Sequence, residues 1–117
     1  MGALAMTRDI FLSFCSTLEL AEVYVPFALD PDTKAARHAG GKWFALLINL
    51  SGEDVINLKC DPVHGAFLRG SFEGVIPAYH MNKDHWISVY LERDVPDDLI
   101  QKLILDSYQL TAPKRKK

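Results

Sequence analysis

Several features of membrane-spanning and disulfide-linked proteins are missing from this chain of 117 residues. It has no run of about 18 apolar residues, so the sequence predicts no membrane-spanning helix. Its two cysteines, Cys15 and Cys60, form no CxxC pair, which favours free buried thiols in a reducing cytoplasm. The first residues, MGALAM, lack the charged start and long apolar stretch of a secretory signal. We interpret residues 1–6 as a vector-derived or disordered start and expect a cytoplasmic protein.

Motifs for catalysis and metal binding are also missing. The chain has no nucleophile elbow, no paired-carboxylate signature and no glycine loop in a phosphate-binding context. His80, Asp84 and Ser88, or Cys60 with a histidine, are residue types that occur in catalytic sites, but such a site is defined by geometry and not by presence. His80 and His85 lack a third ligand at a diagnostic spacing. We therefore predict no enzymatic activity, no metal and no cofactor.

Charge is distributed unevenly along the chain. The formal net charge is −2, but residues 114–117 are all basic, and the remainder carries nine basic against fifteen acidic side chains. An acidic body repels phosphate and disfavours general binding to DNA. A local basic patch still acts within a Debye length of about 8–10 Å. We assign residues 112–117 to a basic tail.

Apolar spacing predicts a single α+β domain over residues 7–111. The predicted elements are a helix over 8–18, an extended segment over 23–27, strands over 34–39, 42–50 and 55–60, a helix over 62–72, strands over 78–81 and 86–91, and a helix from residue 96. We count these as α-β(3)-α-β(2)-α, with helices packed on an antiparallel sheet. Gly40-Gly41 suits a two-residue hairpin turn. In the second helix, Val63, Phe67 and Leu68 are expected to cover the sheet.

The most distinctive stretch is residues 74–91, GVIPAYHMNKDHWISVYL. Asn82 to His85 supply a polar turn, since asparagine and aspartate tolerate turn conformations. After the turn, Trp86, Ser88 and Tyr90 alternate with three aliphatic residues, which is typical of a half-buried strand. The stretch therefore predicts a hairpin with one face in the core.

The string YHMNKDHW at residues 79–86 resembles the signature of the MmcQ/YjbR family, a group of small bacterial proteins. Residues 40–46, 57–62 and 95–108 resemble the same family in order and spacing. Residues 34–39 are less apolar than the strand usual before the Gly-Gly turn, so this edge of the sheet is expected to differ. The resemblance implies a secretion-chaperone-like fold and brings a DNA-binding label, which comes from a proposed double wing of hairpins. It supplies no catalytic residues.

Two functions are consistent with these observations. In the first, two hairpin tips bind DNA: basic side chains contact phosphates, Asn82 lies near a base edge, and Tyr79 or Trp86 stacks on an unpaired base. The candidate residues are Lys34, Arg37, Lys42, Tyr79, His80, Asn82, Lys83, His85 and Trp86. The alternative for the lysines is that they are solvated turn residues. In the second function, the domain binds a partner protein or another copy of itself through its sheet.

Overall fold

The structure is a computed structural model that describes residues 6–79 and 81–113. Within these residues it contains three helices and a six-stranded antiparallel sheet. The elements are α1 (Arg8–Ser16), β1 (Ala21–Tyr24), β2 (Lys34–His38), β3 (Trp43–Leu50), β4 (Glu53–Lys59), α2 (Pro62–Ser71), β5 (Val75–Pro77), β6 (Trp86–Tyr90) and α3 (Asp97–Leu110). The strands lie in the order β1-β2-β3-β4-β6-β5. The predicted α+β class is confirmed.

The sheet has one more strand than the sequence predicts. The extended segment placed at residues 23–27 is the edge strand β1, which begins two residues earlier and pairs with β2. At the other edge, β5 ends at Pro77. The predicted strand over residues 78–81 is therefore wrong, because proline has no N–H to continue the ladder and the chain turns away there.

The hairpin between β2 and β3 closes with a longer loop than predicted. Ala36 lies opposite Ala45, a register that alone would give the two-residue Gly-Gly turn. A bulge then shifts the register so that Arg37 lies opposite Trp43. The shift leaves a three-residue loop, closed by a hydrogen bond from the His38 N–H to the Lys42 carbonyl (2.9 Å).

The helix starts follow the capping residues that the sequence contains. The Thr7 hydroxyl accepts a hydrogen bond from the Ile10 N–H (3.2 Å) at the start of α1, which ends two residues earlier than predicted. At α2, the Asp61 carboxylate accepts hydrogen bonds from two backbone amides of the first turn, and proline occupies the first helical position. In α3, Asp97 and Asp98 occupy the first turn, where the helix dipole favours negative charge.

The core lies between the helices and one face of the sheet. Alternate residues of the central strands supply it, together with residues of α1 and α3. Met6, which the sequence analysis placed before the domain, is 1% exposed and belongs to this core. The main sheet contributors are Ala45, Leu47, Ile56, Leu58, Ile87 and Val89.

Helix α2 packs on the sheet through a different side than predicted. Val63 and Phe67 are 79% and 67% exposed, so the prediction that they cover the sheet is wrong. Gly65 and Leu68 are the buried residues of this helix. A Cβ atom at Gly65 would lie 3.3 Å from Cγ2 of Ile87, so this turn of the helix approaches β6 too closely for a larger side chain.

Candidate functional site

The face of the sheet opposite the helices carries the candidate site, and we call it the open face. Because side chains alternate along each strand, the residues between the core positions point to this side. They include Leu46 and Ile48 of β3, Asn57 of β4 and Ser88 of β6. Two segments fold back over this face, the loop of residues 25–33 and the connection between β5 and β6.

A buried polar network holds the β5–β6 connection against the open face. Ser88 Oγ donates to Asn57 Oδ1 (2.5 Å) and accepts a hydrogen bond from the Tyr79 N–H (2.9 Å). Asn57 Nδ2 donates to the Tyr79 carbonyl (2.9 Å). Asn57 and Ser88 are both fully buried, so each polar atom needs its partner. The alternation of residues 55–60 predicts that Asn57 points to the less apolar face of its strand, whereas its cover by residue 79 depends on the fold.

Polar residues of the distinctive string close the same connection. Asn82 Oδ1 accepts a hydrogen bond from the Asp84 N–H (2.9 Å), and its carbonyl accepts one from the Trp86 N–H (2.9 Å). Lys83 Nζ donates to the Ala78 carbonyl (3.0 Å) across the loop. These bonds make the connection a folded loop that lies on the sheet, where the DNA hypothesis expects a projecting wing.

A cleft of about 460 Å³ lies on the open face between the two covering segments. Leu46 and Ile48 form part of its floor, Phe27 lies on one side, and Tyr79 and Met81 lie on the other. Phe27 and Tyr79 are 49% and 44% exposed. The cleft therefore presents aromatic and aliphatic surface to solvent.

Hydrogen bonds and ring contacts fix Trp43, which also lines the cleft. Its indole Nε1 donates to the hydroxyl of Tyr24 (2.7 Å). Phe27 meets the indole edge to face, with ring centroids 6.2 Å apart and an interplanar angle of 85°. The Arg37 guanidinium lies 4.4 Å from the centroid of the Tyr24 ring and donates to Glu22 (2.9 Å). This wall of the cleft is thus positioned before any ligand arrives.

The structure brings only some of the predicted DNA-binding residues together. Lys34 begins β2, whereas Lys42 lies beyond its other end, more than about 13 Å of strand away. Lys42 does lie at the same end of the sheet as Lys83 and His85, since β3 and β6 both start there. His80 lies outside the described residues.

Other predicted candidates have structural partners. Arg37 is paired with Glu22, and this hydrogen bond raises the pKa of the guanidinium. Trp86 is half-buried on β6, opposite Lys59 of β4. Asn82 binds its own turn. Lys59, which the sequence analysis did not include among the candidates, is the cation that the sheet register places opposite Trp86.

The residue types considered for catalysis are not arranged as an activated nucleophile. Cys60 Sγ lies 3.8 Å from Nδ1 of His64, but burial, together with the Asp61 carboxylate, raises the pKa of the thiol. A raised pKa keeps this sulfur protonated and weakly nucleophilic. The Ser88 hydroxyl already bonds Asn57 and the Tyr79 amide.

Residues 6–79 and 81–113 contain neither a metal-binding cluster nor a helix that could span a membrane. No group of three or more histidine, cysteine, aspartate or glutamate side chains there could hold a metal ion. No described helix is both long and apolar enough to cross a membrane.

The sequence analysis missed most residues of the cleft. Phe27 was placed at the end of the extended segment over residues 23–27 and Trp43 in the strand over residues 42–50, and neither was named as a binding residue. The available signal was weak: an aromatic residue between two prolines, at positions 26 and 31, and a tryptophan near the start of a predicted strand. The meeting of these segments depends on the fold and not on sequence spacing.

Comparison with known proteins identifies the family. The family model YjbR matches residues 17–110. The chain belongs to the YjbR family. It is 38% identical to the uncharacterized protein YyaQ of Bacillus subtilis strain 168, over 74% of this chain and 81% of that protein. It is 39% identical to the uncharacterized protein YbdF of Escherichia coli O157:H7, over 81% of this chain and 77% of that protein.

Solved structures of similar chains have the same fold. A crystal structure of a Pseudomonas syringae protein superposes with a TM-score of 0.85 at 36% identity, and covers 92% of this chain and 100% of that one. A crystal structure of the Deinococcus radiodurans protein DR2400 gives a TM-score of 0.79 at 31% identity, over 89% of this chain and 77% of that one. The names of these relatives state no activity, and a shared fold does not specify one.

Proposed function

We propose that this YjbR-family protein is a binding module that holds an extended apolar segment of a partner protein against the open face of its sheet. The observation that carries the proposal is the cleft between residues 25–33 and the β5–β6 connection. Its volume of about 460 Å³ lies within the range of roughly 300–1,000 Å³ that is usual for ligand clefts. A cleft of this volume accepts one or two large apolar side chains as anchors.

The exposed rings at the cleft favour a partner over a purely structural role. Phe27 and Tyr79 keep close to half of their surface in water although both adjoin apolar floor residues. Apolar surface that stays exposed around a concave site commonly marks an interface. Trp43 adds a rigid aromatic wall with its hydrogen bond already satisfied, so it loses little conformational freedom on binding.

The edge strands support binding on the face of the sheet and not at its edges. The Tyr90 N–H donates to the Gly74 carbonyl, so Gly74 and Ile76 direct their backbone groups toward β6. Val75 and Pro77 are therefore the residues of β5 whose backbone groups point away from the sheet. The Val75 N–H already donates to the Phe72 carbonyl, and Pro77 has no N–H. This edge therefore offers no donor from β5 to an added strand.

The opposite edge of the sheet, formed by β1, offers an added strand few free backbone groups. The Ala39 N–H donates to the Leu20 carbonyl, and this register directs the backbone groups of Ala21 and Val23 in β1 away from β2. The Ala21 N–H donates to the Leu18 carbonyl. Val23 is then the single residue of this described strand whose outward N–H remains for a partner. Addition of a strand needs a row of such groups.

Binding of single-stranded nucleic acid is a second candidate, favoured by one observation. The sheet register places Lys59 opposite Trp86 on the open face, at the same end of the sheet as Lys42. An aromatic ring beside a cation is the arrangement that stacks a base and contacts its phosphate. Asp61 and Asp84 lie near the same strand ends, and the chain without residues 114–117 is acidic, so we rank this candidate second.

One set of binding measurements tests both candidates. A phage library of random nonapeptides is selected on the immobilised wild-type protein and counter-selected on Phe27→Ser and Tyr79→Ser variants, whose folding is first verified by circular dichroism. Truncation of a central aromatic anchor is expected to weaken the selected peptides by roughly 10- to 100-fold.

Fluorescence anisotropy with labelled single- and double-stranded DNA forms the second arm. It uses the wild type, Lys59→Gln and a chain that ends at Pro113, each at low and high salt. Absence of peptide enrichment contradicts the proposal. DNA binding that depends on Lys59 and persists without the tail makes the second candidate the function, whereas binding lost with the tail reports only attraction between basic residues and phosphate.

A further inference from the structure

Two carboxylates lie at the rim of the cleft, and we infer that they select a basic side chain beside the apolar anchor of the bound segment. This inference rests on the proposed function and names the chemistry of its partner. Asp30 and Asp32 both line the cleft and are exposed. Both belong to the loop of residues 25–33, which also contributes Phe27.

The Asp30 carboxylate is held in place and retains acceptor capacity. Its Oδ2 accepts a hydrogen bond from the Thr33 hydroxyl (2.6 Å), and Thr33 is only 5% exposed. A carboxylate accepts about four hydrogen bonds, so one bond leaves most of its capacity for a ligand. Asp32 is fixed through its backbone, because its carbonyl accepts a hydrogen bond from the Arg8 guanidinium (3.1 Å).

The nearby cations neutralise this rim only in part. Arg8 forms an ion pair with Asp54 (3.1 Å). Lys34 Nζ donates to the Pro31 carbonyl (2.5 Å). Three carboxylates therefore face two cations in this part of the molecule, and the balance is negative. A phosphate or an acidic side chain in the cleft would be repelled, while a basic side chain would be attracted.

Aromatic rings beside the carboxylates add to the attraction for a cation. Phe27 and Trp43 both line the cleft with Asp30 and Asp32. A guanidinium or ammonium within about 6 Å of a ring centroid gains a cation–π contact. A contact of this kind already forms on the open face between Arg37 and Tyr24 (4.4 Å).

The spacing of an extended chain sets where the basic residue lies. Side chains at positions i and i+2 point to the same side, about 6.5–7 Å apart. If a large apolar side chain occupies the floor at Leu46 and Ile48, the next side chain on that side reaches the rim. We therefore expect selected peptides to carry arginine or lysine two positions from an aromatic or aliphatic anchor.

The experiment compares affinities of a selected peptide for charge variants of the full chain. The Asp30→Asn and Asp32→Asn double variant keeps the shape of both side chains and an acceptor for Thr33. Each exposed ion pair contributes about two- to fivefold in affinity, so the double variant is expected to bind on the order of tenfold more weakly, and less so at high salt. The matched control, Glu73→Gln with Asp98→Asn, removes the same charge from exposed positions on the helical side and should bind like the wild type.

The outcomes separate this inference from the function on which it depends. Enrichment of arginine or lysine at the expected spacing, with weakened binding to the double variant only, supports both. Enrichment of apolar anchors without basic residues, or equal affinity for the double variant, overturns the charge inference and leaves the binding module intact. Enrichment of acidic residues also overturns it. No enrichment of any peptide overturns both.

Discussion

The hydrogen-bond network of Asn57, Ser88 and Tyr79 predicts a specific pattern of stability losses. Asn57→Ala removes the donor to the Tyr79 carbonyl and the acceptor of the Ser88 hydroxyl. Ser88→Ala removes the acceptor of the Tyr79 N–H and the donor to Asn57. Both residues are 0% exposed, so water cannot replace the lost partners without entering the space between the sheet and the β5–β6 connection.

The magnitudes follow from these bonds. Each single substitution leaves two buried polar groups without their partners, and Asn57→Ala also leaves a small cavity, so each is expected to lower the free energy of unfolding by about 2–3 kcal/mol. The two single changes share the loss of the Ser88–Asn57 bond. The double variant should therefore lose about 3–4 kcal/mol, which corresponds to a coupling energy of about 1–2 kcal/mol.

Urea unfolding at equilibrium measures these free energies. If the slope of the unfolding free energy against urea concentration, the m value, is unchanged, the substitution has altered stability alone. Hydrogen exchange supplies a local readout, because the Tyr79 amide should lose its protection in Ser88→Ala. Additive losses, with coupling below about 0.3 kcal/mol, would refute the argument that these side chains act as one network.

Three further predictions concern single residues. Burial lowers the pKa of His38 below its ordinary value of 6.5, so the folded state resists protonation of this side chain. The stability that depends on neutral His38 is full above about pH 6.5 and declines as the pH falls through the folded-state pKa. Urea midpoints measured across this pH range should therefore decline less in His38→Gln than in the wild type. Burial raises the pKa of Cys15 to about 12, so this thiol should react with a disulfide reagent at neutral pH only after unfolding. Gly70→Ala should stabilise α2 by about 0.5–1 kcal/mol because its Cβ meets nothing within 4 Å, whereas Gly65→Ala should give no such gain because its Cβ would press on Ile87; thermal unfolding of the matched pair measures the difference.

Local signals in the sequence predict much of the fold. Thr7 and Asp61 mark helix starts because their side chains bond the first free amides. The alternation from Trp86 to Tyr90 predicts both β6 and its buried side correctly, since the period of a strand is a property of the backbone. The class follows from such elements taken in order.

Features that depend on close packing could not be read in the same way. The apolar spacing of α2 gives no reason to prefer Leu68 over Val63, and the choice is made by Gly65, which lets the helix approach Ile87. The length of the Gly-Gly loop depends on a bulge in the strands, and no residue type marks that bulge.

The candidate site was predicted least well because it joins distant segments. Tyr79 was named as a binding residue, and it does line the cleft. The other wall comes from Phe27 and Trp43, which meet only after β1, β2 and β3 have paired. Charge reasoning also failed to anticipate that Lys34 and Lys42 lie near opposite ends of one hairpin.

Chemical-shift mapping with a selected peptide tests the central claim most directly. The protein is labelled with ¹⁵N, and amide shifts are followed as the peptide is added, with DNA added to a second sample. The account predicts the largest changes at Phe27, Leu46 and Tyr79, around the cleft on the open face. Changes confined to Lys42, Lys59 and His85, at the strand ends proposed for nucleic acid, would contradict it.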